Sequence, residues 1–104
     1  MAFVDNLQQL PAVDHLSALD LLDPQGQVVA TLHNKPGQAG SLRVYAALAD
    51  KHGSINAVAA QEGLEIYAEH TADAIAHPGK HPNIDRLIHI RDEGLTLTVV
   101  KQAA

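Results

Sequence analysis

Seven histidines stand in a chain of 104 residues. Two of them fall in one polar run, Glu69-His70-Thr71-Ala72-Asp73-Ala74-Ile75-Ala76-His77, and His81, Asn83 and Asp85 follow closely. Imidazole titrates near neutrality and ligates metals, so this run is where chemistry is first sought. On a helix, His70, Asp73 and His77 are three and four residues apart and share a face. Two imidazoles and a carboxylate in that arrangement could hold a divalent ion of the zinc or iron kind, with His81 from the next loop as a fourth ligand. The same groups could do general acid–base work if a carboxylate oriented one imidazole. The spacing lacks the HExxH or paired-cysteine pattern that makes a metal assignment specific. The plainer reading is a set of surface or hydrogen-bonded structural histidines, with Asp73 near a helix start where the dipole favours it. The candidate site is therefore Glu69, His70, Asp73, His77, His81, Asn83 and Asp85. Its metal set would be His70, Asp73, His77 and His81, and no other cofactor is suggested.

Two further features invite a hypothesis. His52 to Leu64 has the small residues and the Gly63-Leu64 ending of the first half of a helix-turn-helix, a motif whose second helix enters the DNA major groove. Here that helix would open with Glu65 and Glu69, which repel phosphate, and no lysine or arginine follows until Lys80. The second feature is a pair of glycine-containing loops, residues 34–40 and 78–83. Each sets a lysine close to a glycine: Lys35 near Gly37, and Lys80 beside Gly79. A backbone nest with a lysine can hold an anion. Neither loop carries the nucleotide-binding GxxxxGK[ST] pattern, and turns with solvated lysines are the plainer reading. No GxSxG elbow is present, and Ser17, Ser41 and Ser54 do not assemble a serine triad in sequence order.

Composition narrows the classes. There is no cysteine, which removes disulfides, thiolate nucleophiles and cysteine-based metal centres. The formal charge is −5, and the seven basic residues are scattered from Lys35 to Lys101. Nucleic-acid binding draws on a clustered basic face, so this distribution argues against it. The first residues lack the basic flank and apolar run of a secretory signal, and no stretch reaches the ~18 apolar residues of a membrane span. The chain therefore reads as cytoplasmic, with no membrane partner.

These side chains need elements to position them. Phe3 to Leu10 suits a short amphipathic helix ended by Pro11. Leu16–Leu22 and Val28–Leu32 flank Asp23-Pro24-Gln25-Gly26, where proline presets φ and glycine tolerates the left-handed conformation, so a β-hairpin is expected. Residues 33–40 form a loop. Ser41 is then the expected N-cap of a helix over 42–52, with Gly53 just past its end. Residues 54–63 fit a short helix from Ser54 to Gly63, or a strand. Residues 64–69 alternate as a strand but also fit a helical stripe with Ala72 and Ile75, since period does not settle short apolar runs. The reading adopted is a strand over 64–69 and a helix over 71–77. After the loop at 78–83, residues 86–91 and 95–100 read as a second hairpin about Asp92-Glu93-Gly94, with a helix over 83–92 as the rival. The sum is one α+β domain over 1–104, a two-layer arrangement with antiparallel hairpins (about 16–32 and 86–100) packed against two or three helices.

The segments Asn34-Lys35-Pro36-Gly37, Ser41-Leu42-Arg43-Val44-Tyr45, Glu69-His70-Thr71 and Pro78-Gly79-Lys80-His81-Pro82-Asn83-Ile84-Asp85 resemble those of a conserved bacterial family of small single-domain proteins of unknown function. The resemblance spans nearly the whole chain. It implies a bacterial single-domain protein and brings no activity, ligand or catalytic residue with it.

Three functions remain, in order. The first is a non-catalytic binding or protein-interaction module, with a homodimer through a sheet edge or helix face as one form of partner. The second is a metal-dependent or acid–base enzyme built on the 69–85 cluster. The third is helix-turn-helix-like DNA binding.

Overall fold

The computed structural model describes residues 2–104. In chain order its elements are α1 (Phe3–Gln8), β1 (Leu16–Leu22), β2 (Val28–His33), α2 (Ala39–His52), α3 (Ala57–Tyr67), α4 (Glu69–Ala76), α5 (Pro82–Glu93) and β3 (Thr98–Ala103). The three strands form one antiparallel sheet in the order β2-β1-β3. This is the expected α+β class.

The first hairpin forms as its turn residues require. Asp23 Oδ1 accepts from the backbone N–H groups of Gln25 and Gln27, both at 2.9 Å, and Gly26 adopts φ +82°. Across β1 and β2, Leu19 faces Leu32 and Leu21 faces Ala30, while Asp20 faces Thr31. The helices cover the leucine face. The other face carries Asp20, which accepts from Thr31 and from Gln102. The buried residues form one continuous cluster that runs from Leu19 and Leu21 of the sheet through Leu42, Tyr45 and Leu48 of α2 to Leu64 of α3 and Ile84, Leu87 and Ile90 of α5.

The second hairpin, expected at 86–100, does not form. Residues 82–93 are helical, and β3 pairs with β1 instead. Pro82 sits in the first turn, where its fixed φ suits a helix and its missing N–H costs nothing. Ile84, Leu87 and Ile90 then recur every three residues and bury one stripe. Gly94 ends the helix in the left-handed conformation at φ +66°, so Asp92-Glu93-Gly94 is a helix terminus rather than a hairpin turn. Residues 95–100 are only partly strand. Leu97 makes a two-bond bridge with Ile55 (2.9 and 3.0 Å), and β3 proper begins at Thr98.

The strand expected at 64–69 is likewise absent. Ala59, Ala60, Gly63, Leu64 and Tyr67 make one buried helical face, and packing against α2 and α5 selects that period over the alternating one. Gly63 is no helix stop. A Cβ placed there would stand 2.7 Å from Leu87 Cδ1 and 2.9 Å from Leu48 Cδ1, so the glycine admits its neighbours. Since α3 passes straight through Gly63, the helix-turn-helix turn is missing too. The chain thus has five helices among the described residues, not two or three. The caps also move. Asn56 rather than Ser54 caps α3, its side chain accepting from Ala59 N at 2.9 Å. Helix α2 starts at Ala39, leaving Ser41 within its first turn. No helix among the described residues is long and apolar enough to cross a membrane.

Candidate functional site

A cleft of about 250 Å³ opens where four separate segments meet. Phe3 comes from α1, Gly37 from the loop before α2 and Ser41 from its first turn, Tyr67 and His70 from the α3–α4 junction, Lys80 and His81 from the loop before α5 and Pro82 to Ile84 from its first turn. Each segment is held by bonds across long stretches of chain. Phe3 N donates to Glu69 Oε1 at 2.8 Å, and Asn6 Nδ2 donates to the Ile66 carbonyl at 3.0 Å. The guanidinium of Arg43 donates to the carbonyls of Leu10 and Pro11, which fixes the chain leaving α1. Tyr45, fully buried in α2, donates through its hydroxyl to the Asn83 carbonyl at 2.5 Å and so pins the first turn of α5.

One wall is aromatic. Phe3 stacks on Tyr67 with centroids 5.0 Å apart, and His70 meets the edge of Phe3 at 5.3 Å. Pro82 and Ile84 continue the apolar lining. The rest is polar. Tyr67 donates through its hydroxyl to Ser41 Oγ at 2.7 Å. The rings of His70 and His81 lie 5.7 Å apart. Asn83 Oδ1 accepts from Arg86 Nη1 at 2.9 Å.

Asp73 stands beside His81 and organises it. Its Oδ2 is 2.7 Å from His81 Nε2 and 2.9 Å from Lys80 Nζ. The hydrogen bonds from His81 and then Lys80 hold the Asp73 carboxyl down at about 2. Asp73 is thus ionised at neutral pH and acts as an acceptor, which leaves Nε2 of His81 carrying the proton between them. The backbone N–H of Phe3 lowers the Glu69 carboxyl in the same way. Burial pushes the phenol of Tyr45 up to about 12 and raises that of Tyr67 as well, so both stay protonated donors.

The α3–α4 junction is strained. Ala68 sits at φ +52°, ψ −116°, and among the described residues it is the non-glycine residue with positive φ. That kink separates Tyr67 from Glu69 and His70 and turns one helix into two. Strained backbone of this kind costs ~1–3 kcal/mol and clusters at functional sites.

Of the seven residues expected from sequence, His70, His81 and Asn83 line the cleft, and Asp73 orients His81 from beside it. Glu69 and Asp85 tie down backbone, the latter accepting from Gly79 N at 2.9 Å. His77, the residue that ends α4, keeps its i, i+4 place beside Asp73 but does not line the cleft. Its Nε2 lies 3.8 Å from Asp73 Oδ1, and its ring is 64 % exposed. Among the described residues no three histidine or carboxylate side chains are grouped to hold a metal ion. Lys80 instead occupies Asp73 Oδ2. Sequence reasoning missed Phe3, Ser41 and Tyr67. It singled out the two glycine-containing loops separately, and the structure brings Gly37 of one and Lys80 of the other to the same cleft.

A family model described as "Uncharacterized protein conserved in bacteria (DUF2322)" matches residues 3–101. No curated protein and no solved structure matches the chain.

Proposed function

We propose that this chain, which belongs to the bacterial family DUF2322, is a single-domain cytoplasmic binding module whose small-molecule ligand sits in the cleft between Phe3, Ser41, Tyr67, His70 and the Lys80–Ile84 segment that enters α5. The observation that carries the reading is convergence. Four segments far apart in the chain deliver an aromatic wall and a set of polar side chains to one concave site, the usual make-up of a ligand pocket. The strained Ala68 supports it, since that backbone turn sets Tyr67 and His70 against the cleft.

The test is a thermal-shift screen of small metabolites on untagged protein, repeated on His70→Ala. A true ligand at a hundredfold over its Kd adds ~2.7 kcal/mol to stability, which raises Tm by ~10–20 °C in a domain near this size. The shift disappears in the variant. A screen in which no compound stabilises the parent more than His70→Ala refutes the reading.

The Asp73–His81 pair favours a second reading. A carboxylate 2.7 Å from an imidazole that lines a cleft is the base-and-orienter half of an acid–base site. Under this reading Asp73→Asn abolishes turnover of a ligand found in the screen while leaving its binding intact. Unchanged turnover in that variant refutes it.

A further inference from the structure

From the hydrogen-bonding inventory of the cleft we infer that its ligand is a small organic anion, a carboxylate or phosphate group carried on a short apolar or aromatic body. This rests on the cleft being the binding site proposed above and adds the chemical class of what enters it.

The inventory favours donors. Asn83 Oδ1 is taken by Arg86, so the amide presents its NH₂ end to anything else. Ser41 Oγ already accepts from Tyr67, which leaves its own hydrogen to give. Lys80 spends one of its donors on Asp73 and has others left. The carboxylates nearby do not compete. Glu69 is bonded to Phe3 N, Asp73 to His81 and Lys80, and Asp85 to Gly79 N, and none of the three lines the cleft. Donors from Ser41, Asn83 and Lys80 therefore face the ligand with no carboxylate among them, in a protein whose overall charge is −5. Charge-assisted hydrogen bonds from such donors to an ionised oxygen are the strong ones.

With the proton on Nε2 of His81 committed to Asp73, its other nitrogen is an acceptor, so His81 lines the cleft without adding a donor to this set. The apolar side sets the rest of the molecule. The stacked Phe3–Tyr67 pair offers a flat surface for a ring or short chain. At about 250 Å³ the site lies below the ~300–1,000 Å³ of drug-sized pockets, so the body is small.

The test titrates benzoate, phenyl phosphate, benzamide and benzylamine separately into untagged, isotope-labelled protein. Amide and imidazole NMR signals of Ser41, His70, His81 and Asn83 are followed. The expected result is saturable shifts of these signals by benzoate or phenyl phosphate, at least tenfold weaker binding of benzamide, and at least tenfold loss of anion affinity in Lys80→Gln that still shows the parent's fold by amide spectrum. A larger response to phenyl phosphate assigns a phosphate ligand, and one to benzoate assigns a carboxylate. Benzamide or benzylamine binding in the cleft as tightly as either anion overturns the anion class and leaves the cleft as a binding site. If none of the four compounds moves the cleft signals, the anion inference fails. If the metabolite screen above also finds no cleft ligand, the binding reading fails with it.

Discussion

Replacing Tyr45 by phenylalanine tests how the cleft is held. The Tyr45 ring is wholly buried, and the ring of Phe fills the same space, so the change isolates the hydroxyl. That hydroxyl donates to the Asn83 carbonyl at 2.5 Å and accepts from Arg86 Nη1 at 3.2 Å, with the guanidinium 5.7 Å from the ring centroid. A neutral hydrogen bond contributes ~0.5–1.5 kcal/mol net, and one to a charged group ~1.5–3 kcal/mol. The Arg86 contact is long, and Arg86 keeps its 2.9 Å bond to Asn83 Oδ1, so little of the charged contribution is lost. Asn83 O lies inside α5 and keeps its helical partner. The sum for Tyr45→Phe is a loss of about 1–2 kcal/mol, or a Tm lower by about 4–16 °C at 4–8 °C per kcal/mol. Urea unfolding followed by far-ultraviolet circular dichroism measures it. The midpoint falls while the slope stays constant, because the surface exposed on unfolding is unchanged. The Asn83 and Ile84 amides shift in the folded variant, since the first turn of α5 loses its tie to α2. A variant within 0.5 kcal/mol of the parent, a threshold at the ordinary scatter of neutral surface changes, refutes the claim that this hydroxyl fixes the floor of the cleft.

Two more outcomes follow from the same structure. Burial raises the Tyr45 phenol from 10.0 to about 12 and moves Tyr67 in the same direction. A group with a raised folded-state pKa gives stability that is complete below its unfolded value, so the protein loses stability as pH climbs from 10 through 12. Tyrosinate absorbance then rises together with loss of helical signal, and a phenol ionising near 10 in folded protein contradicts the burial. Ala68→Gly relieves a positive-φ alanine whose strain is ~1–3 kcal/mol, against ~0.4–1 kcal/mol for the looser unfolded chain. The expected outcome is a gain of about 0.5–2 kcal/mol in urea unfolding, and any loss of stability contradicts the strain assigned to the α3–α4 junction.

Local chemistry made part of the fold legible without coordinates. The hairpin at 16–33 follows from Asp23-Pro24-Gln25-Gly26, whose side-chain and backbone bonds are all made within five residues. Helix α2 follows from the spacing of Leu42, Tyr45, Ala46 and Ala49 and from Gly53 at φ +80°. Helix α5 was visible only as a rival. Its apolar residues fit two periods over a short run, and Gly94 serves a hairpin turn or a helix end equally well. What chose the helix was burial of Ile84, Leu87 and Ile90 against α3, where Gly63 leaves room for Leu87.

The candidate site divides along the same line. The residue types at 69–85 already contained an imidazole that a carboxylate could orient, and Asp73 does orient His81 across eight positions. Which imidazoles would meet was another matter. His77 stays beside Asp73 but turns its ring to solvent outside the cleft, and His70 packs on Phe3, sixty-seven positions away in the chain. Phe3, Ser41 and Tyr67 carry no mark of a site in their own neighbourhoods. Periodicity and turn chemistry act within a few residues, so the amino-acid sequence by itself determines elements and their ends. A cleft is made by the packing of distant elements, and only the tertiary structure decides which side chains share it.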